Sequence, residues 1–185
     1  MLAAALGLGI ADSLGGFRRH VVFVVFGKYL GGDEGAVAFE LPLCDGAYTI
    51  PFGEANLLRE GEHVTVVAIG RMVVFAEKAV DAAAKDGITC DLIDPRTTSP
   101  LDEETILESV ENTGRLVVID ESNPRCSVAA DICAIVAEKG FHSLKAAPRM
   151  VTAPHTPVPF ARELERAYVP GPAKIEAAIR AVAAE

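Results

Sequence analysis

The sequence predicts an α/β fold in three layers, α/β/α, with a mainly parallel central sheet. Three observations predict it. Short apolar runs at residues 64–69, 88–93, 115–119 and 149–152 alternate with amphipathic stretches, the spacing of βαβ units with right-handed crossovers. The central runs are apolar without a period of two, as suits strands covered on both faces. Gly70-Arg71, Asp94-Pro95-Arg96, Asp120-Glu121 and Pro154-His155 lie at or just beyond the ends of these runs, and in open parallel sheets function collects at the carboxyl ends of strands.

The elements follow in order. Residues 1–47 show no regular period: 1–10 read as a helix fragment, Gly15-Gly16 as a break, 21–26 as a strand, and the Gly-rich stretch 27–46 as an irregular loop. The expected organisation is therefore 1–47 as the remnant of a preceding domain and linker, and 48–185 as one domain. Pro51 keeps residues 50–53 out of a central ladder, and 54–59 form a short strand or turn. Strand 64–69 turns at Gly70-Arg71 into a helix over 72–85, where Val73, Ala76, Val80 and Ala83 recur at helical spacing. Gly87 supplies its left-handed end.

Strand 88–93 leads into the loop 94–98. Ser99-Pro100-Leu101-Asp102 reads as a helix start, with Ser99 at the N-cap and Pro100 at the first helical position. Glu103 and Glu104 suit the positive end of the helix, and Gly114 closes it. After strand 115–119, Asn123-Pro124 breaks the chain and Ser127 caps a helix running to Lys139-Gly140. Beyond strand 149–152, Pro154, Pro157 and Pro159 hold the chain extended. A short helix over 160–168 and a final amphipathic helix over 174–183 complete the domain.

Half of the 185 residues are apolar, so a sizeable core is available. The net charge of −9 and a pI near 4.9 argue against nucleic acid, which needs clustered Lys and Arg, and against docking on anionic membrane. Cys44, Cys90, Cys126 and Cys133 form no C-x-x-C pair and read as reduced core residues of a cytoplasmic protein. Residues 1–10 lack the leading cation of a signal peptide. Like 21–26, they are too short to span a bilayer.

The chemistry-bearing candidates are the strand ends: Arg71, Asp94 and Arg96, Asp120 and Glu121, and His155. In a parallel sheet these converge on one edge. Arg71, Arg96, Asp120, Glu121 and His155 form a candidate cluster for an anion or a charged partner surface. The competing reading is that the arginines only pair with the neighbouring acids. His155, between prolines, is the best general acid/base candidate, although a histidine that merely finishes a turn carries the same signal. No G-x-G-x-x-G, P-loop or G-x-S-x-G motif is present, and dispersed His and Cys offer no metal-ligand spacing.

From Tyr48 onward the chain carries Tyr48-Thr-Ile-Pro-Phe-Gly-Glu-Ala, then Val64-Thr-Val-Val-Ala-Ile-Gly-Arg-Met-Val. It continues with Asp94-Pro-Arg-Thr-Thr-Ser-Pro-Leu-Asp-Glu-Glu-Thr and Thr113-Gly-Arg-Leu-Val-Val-Ile-Asp-Glu. Over about three-quarters of the chain these strings resemble the C-terminal domain of the β subunit of thiamine-diphosphate-dependent 2-oxo acid dehydrogenases, a transketolase C-terminal-like domain. Asn123-Pro-Arg-Cys-Ser and Thr152-Ala-Pro-His-Thr-Pro-Val-Pro-Phe are most similar to the acetoin dehydrogenase branch, with pyruvate dehydrogenase next.

The resemblance implies a chain that packs an α2β2 heterotetramer with an α subunit and a second β subunit. It also implies a docking surface for a dihydrolipoyl acyltransferase core carrying lipoamide. Thiamine diphosphate belongs to the full enzyme, because the activating glutamate and active-site histidine lie in a preceding domain. No catalytic, cofactor-binding or metal-binding residue is carried over. The front departs from relatives, which read Ala-Ile-Arg-Asp before Pro-Val-Val-Phe; Asp12 is the one remnant of a segment that can hold potassium, and no ion is assigned. The isolated chain is expected to be inactive and to self-associate. The alternative is a free-standing binding module gripping an anion or partner at the strand ends.

Overall fold

The computed structural model describes residues 49–185 in full and, before them, only the backbone of two strands, β1 (His20–Val24) and β2 (Ala38–Pro42). The chain divides into two compact units, Met1–Thr49 and Ile50–Glu185. In the first, β1 and β2 pair antiparallel, with His20 opposite Pro42 and Val24 opposite Ala38. β1 overlaps the strand expected over 21–26. β2 falls inside the stretch expected to be irregular and corrects that expectation: the glycines of 27–46 flank a five-residue run that contains none. The readings of residues 1–10, Gly15-Gly16, Asp12 and Cys44 lie outside the described residues.

The second unit holds β3 (Asn56–Arg59), β4 (Val64–Ala68), α1 (Met72–Ala84), β5 (Cys90–Asp94) and α2 (Glu103–Thr113). It continues with β6 (Leu116–Ile119), α3 (Val128–Lys139), β7 (Arg149–Val151), α4 (Arg162–Tyr168) and α5 (Pro172–Ala183). The sheet order is β3-β5-β4-β6-β7. β4 through β7 are parallel, while β3 joins β5 antiparallel as one edge.

Alternation along the central strands sorts their side chains onto two faces. Val64, Val66, Ala68, Leu92, Val117 and Ile119 pack with α1 and α5 through Met72, Ala76, Ile175 and Ile179. Val67, Ile93, Leu116 and Val118 pack with α2 and α3 through Ile106, Val110, Ile132 and Val136. The chain steps from β4 to β5 in one direction across the sheet, then back past β4 to β6 and on to β7. With crossovers of constant hand, this reversal puts α1 on one face and α2 and α3 on the other.

Local chemistry sets the element ends. Gly87 at φ +81 closes α1: its N–H reaches Ala84 O at 3.0 Å and Ile88 N–H reaches Ala83 O at 3.2 Å, the paired bonds of a left-handed helix end. The start of α2 differs from expectation. Asp102, not Ser99, is the N-cap, and its carboxylate accepts from Thr105 N at 3.1 Å. The reason is that the Asp102 side chain serves two segments at once, because Ala55 N also donates to it at 2.7 Å. Ser127 caps α3 as expected, accepting from Ala130 N at 3.2 Å.

A polar network is buried between the sheet and α2, toward the strands' amino ends. Thr65 Oγ1 lies 2.7 Å from Ser109 Oγ and 2.8 Å from Thr113 Oγ1. Ser109 Oγ donates to Asp91 Oδ2 at 2.5 Å, and Gly61 N donates to Asp91 Oδ1 at 2.8 Å. Every hydroxyl here has a partner, which is what burial of such groups requires.

Candidate functional site at the carboxyl edge of the sheet

β4 and β6 are neighbours whose following helices lie on opposite faces. The crevice between their carboxyl ends is the place where open α/β sheets take ligands. Gly70, at φ +58, turns the chain from β4 into α1 and leaves Arg71 at the head of that helix. Glu121 follows β6. Their side chains form an ion pair, both half exposed, which lies across this crevice. Exposed pairs of this kind contribute about 0–1 kcal/mol to stability.

Asp120 is buried, and its carboxylate accepts from Ser122 N at 2.9 Å and Ser122 Oγ at 2.6 Å. It builds a turn and does not project beside Glu121 as an acid pair. Asp94 does the same for its own loop: Oδ1 accepts from Arg96 N at 3.0 Å, with Arg96 in the left-handed region at φ +54. Asn123 repeats the pattern on Arg125 N at 3.1 Å. These are Asx turns, in which the side chain substitutes for a backbone acceptor two residues back. The Arg96 side chain joins no ion pair among the described residues.

His155 is exposed in a tight turn closed by Thr156 N donating to Pro154 O at 2.8 Å. That segment is tied to the loop after β6, because Ala153 N donates to Ser122 O at 3.1 Å. The His155 ring joins no hydrogen bond or ion pair among the described residues. The structure thus brings Arg71 and Glu121 together and turns Asp120 inward, while Arg96 and His155 stand at the surface. A general base needs a group that orients it, and none is built for His155.

The cysteines divide as well. Burial, reinforced by the neighbouring Asp91 charge, pushes the Cys90 thiol up to about 12. Burial pushes Cys133 up to about 11. Cys126 is exposed, at φ +51 in the turn before α3. This corrects its reading as a core residue: the polar turn that carries it leaves no apolar layer to cover it. Among the described residues, no group of His, Cys, Asp and Glu could hold a metal ion, and no helix is long and apolar enough to cross a membrane.

Sequence reasoning did not single out the exposed apolar side chains. Phe52 is 84% exposed, Val158 70%, Phe160 68% and Leu164 60%. The Pro-rich spacing marked the second segment as extended, but exposure depends on what the rest of the fold covers. Phe52 precedes Gly53, whose N–H donates to Thr97 Oγ1 at 2.9 Å in the loop after β5. Val158, Phe160 and Leu164 follow β7. Both groups therefore lie by the carboxyl edge, on either side of the Arg71–Glu121 pair.

The family model described as "Transketolase, C-terminal domain" matches residues 53–175. The chain is 54% identical over 153 residues to the acetoin:2,6-dichlorophenolindophenol oxidoreductase subunit beta of Cupriavidus necator, covering 83% of this chain and 44% of the relative. It is 52% identical over 128 residues to the subunit of that name from Bacillus subtilis, covering 69% and 37%. It is 40% identical over 137 residues to pyruvate dehydrogenase E1 component subunit beta-1, mitochondrial, of Arabidopsis thaliana, covering 74% and 37%. The chain thus spans less than half the length of these curated relatives. Among solved structures, a split gene transketolase described as an inactive beta4 tetramer superposes with TM-score 0.64 at 23% identity, over 74% of this chain and 43% of that one. At that identity the likeness concerns the fold. With two-thirds of its length inside the family model and the matching three-layer architecture, the chain belongs to the transketolase C-terminal domain family.

Proposed function

We propose that this chain is the C-terminal part of the β subunit of a thiamine-diphosphate-dependent acetoin or pyruvate dehydrogenase. In this reading it helps hold an α2β2 heterotetramer together in the cytoplasm and offers a docking surface to the dihydrolipoyl acyltransferase core. Residues 1–47 are then the remnant of the preceding, cofactor-binding domain. The observation that carries the reading is the 54% identity, over 153 residues, to an acetoin oxidoreductase β subunit. The full enzyme would cleave a ketol or 2-oxo acid and pass the acyl group to lipoamide.

The carboxyl edge supports an assembly role. Arg71, Arg96 and Glu121 present charge there, His155 adds an exposed imidazole, Asp120 shapes the loop that carries Glu121, and exposed Phe52, Val158 and Phe160 flank them. Large exposed apolar side chains beside polar groups are a feature of interaction sites. The described residues do not fit thiamine diphosphate. Its diphosphate needs a divalent ion held by oxygen ligands, and its aminopyrimidine needs a free buried carboxylate. The buried acids are Asp91 and Asp120, and each is already engaged by its own neighbours. No catalytic step is therefore assigned to this chain.

Two measurements test the proposal. Calorimetric titration of thiamine diphosphate with magnesium into the isolated chain is expected to give no binding heat; tight binding would overturn the division of labour. Co-expression with a thiamine-binding α subunit is expected to give a stable mixed complex by light scattering. A folded chain that stays apart from the α subunit would overturn the dehydrogenase assignment.

A further inference from the structure

The turn between β3 and β4, residues 60–63, is fastened to the start of β5. Gly61 N donates to Asp91 Oδ1 at 2.8 Å, Glu62 N to Thr89 Oγ1 at 3.1 Å and His63 N to Thr89 O at 3.1 Å. The approach is so close that a Cβ on Gly61 would fall 2.2 Å from Cys90 N. A return bond completes the set. Thr89 N donates to His63 Nδ1 at 3.2 Å, and Nδ1 also lies 2.9 Å from Thr89 Oγ1. A backbone N–H can only donate, so this contact fixes Nδ1 as the acceptor and leaves the ring proton on Nε2.

A second proton on the ring then has one place to go. It lands on Nδ1 and takes the lone pair that Thr89 N–H uses. Two donors then face each other at hydrogen-bond distance. Thr89 Oγ1, already engaged by Glu62 N, cannot restore the bond that Thr89 N loses. His63 and Thr89 are both exposed, so water reaches the contact. The charged groups around the ring are Glu60 and Glu62 in its own turn, Asp91 on β5 and Glu108 on α2. Lys85 and Asp86 stand at the end of α1, with Asp86 paired to Arg180. Arg115 leads into β6, and Lys145 rests on Thr113 O at 3.3 Å. Acids outnumber cations here, so the surroundings accept a charge on the ring. The cost of that charge falls on the bond to Thr89.

We propose that His63 is a pH-sensitive latch: the neutral ring holds the β3–β4 turn down on β5, and the imidazolium releases it. An imidazole takes its second proton at about pH 6.5, within the physiological range. Release leaves Asp91 with Ser109 as its donor and loosens β3. That strand pairs with β5 alone and has no buried residue, so little else holds it. The latch stands on contacts within this chain and does not depend on the dehydrogenase reading.

Amide hydrogen exchange of the 185-residue chain, resolved by NMR at pH 7.5 and 5.5 and corrected for the intrinsic pH dependence of exchange, tests it. Protection of Thr89 and Gly61 is expected to fall about fivefold or more at the lower pH, the scale of one net hydrogen bond. Amides of α1 and α5 are expected to keep theirs. Gly61 is the decisive position, because it donates to Asp91 and not to the ring. A fall at Thr89 alone means that the turn stays down, and it overturns the latch. So does unchanged protection at both positions, or a loss shared by α1 and α5. His63→Asn puts a side-chain oxygen where Nδ1 stands, one that accepts from Thr89 N and takes no proton; its protection is expected to be the same at both pH values. His63→Leu has no acceptor and is expected to lack the protection at both. A His63→Asn variant that follows the wild-type pH dependence assigns the switch to another group. A His63→Leu variant as protected as wild type at pH 7.5 shows that the ring holds nothing. Either result overturns the proposal.

Discussion

Cys90 on β5, Cys126 in the turn before α3 and Cys133 on α3 differ in what they can do. A thiol reacts through its thiolate, and burial holds Cys90 near 12 and Cys133 near 11. Cys126 sits in the open. At pH 8, peptide mapping after iodoacetamide is therefore expected to find Cys126 modified while Cys90 and Cys133 stay protected until the protein is denatured. Equal labelling of Cys133 and Cys126 in the native protein would contradict the packing of α3 against the sheet. Asp120 teaches a related point. The string Asp120-Glu-Ser contains the two-residue spacing of an Asx turn, as do Asp94-Pro-Arg and Asn123-Pro-Arg. The turn chemistry was legible there. A reading as free acids was equally open, because only burial decides whether the carboxylate turns inward.

Asp102 shows how one side chain sets the boundary of an element. It caps α2 through Thr105 N, accepts from Thr105 Oγ1 at 2.8 Å, and holds Ala55 N at 2.7 Å. Burial alone would raise its pKa, but the hydrogen bonds from Ala55 and Thr105 outweigh that and keep the carboxyl below its ordinary value. The unfolded chain then binds a proton more readily than the folded one. This contribution is fully present above the ordinary carboxylate value near 3.9 and is lost as pH falls through the lower folded value. Asp102→Ala is expected to cost about 1–2 kcal/mol at pH 7. The gap from wild type should narrow on acidification, as read by urea denaturation at pH 7 and pH 3. A gap that stays constant with pH would contradict the role of the ionised form. Ser and Asp cap equally well, and only the proline after Ser99 favoured the earlier start. The long-range demand of Ala55, 47 residues away in sequence, is what moves the start of the helix to Asp102.

The sheet from β3 to β7 makes the two core clusters mechanically one object. Its strands contribute alternate side chains to both clusters, so losing one layer exposes the other. Ile179→Ala, on α5, and Ile132→Ala, on α3, remove fully buried side chains from opposite faces. Each is expected to cost about 3 kcal/mol and to lower the same single transition in chemical denaturation followed by circular dichroism. Two separated transitions for residues 50–185 would mean that the layers unfold independently. The position of the exposed Phe52 and Val158 belongs to this scale too, since a sequence prints apolar residues without saying which ones the layers leave uncovered.

What the sequence determined by itself was the order and type of elements from β4 onward, the parallel sheet and the two-sided burial. These follow from periodicity and from capping and turn residues, which act over a few positions. It also carried the family, because strings such as Asp94-Pro-Arg-Thr-Thr-Ser-Pro-Leu-Asp are long enough to be specific. Tertiary structure alone decided three things: the pairing of β2 with β1, the inward turn of Asp120 beside the outward Arg71–Glu121 pair, and the bare face of α4. Each depends on contacts between residues distant in the chain. Local pattern names the groups that can meet, and only the packed layers determine which of them do.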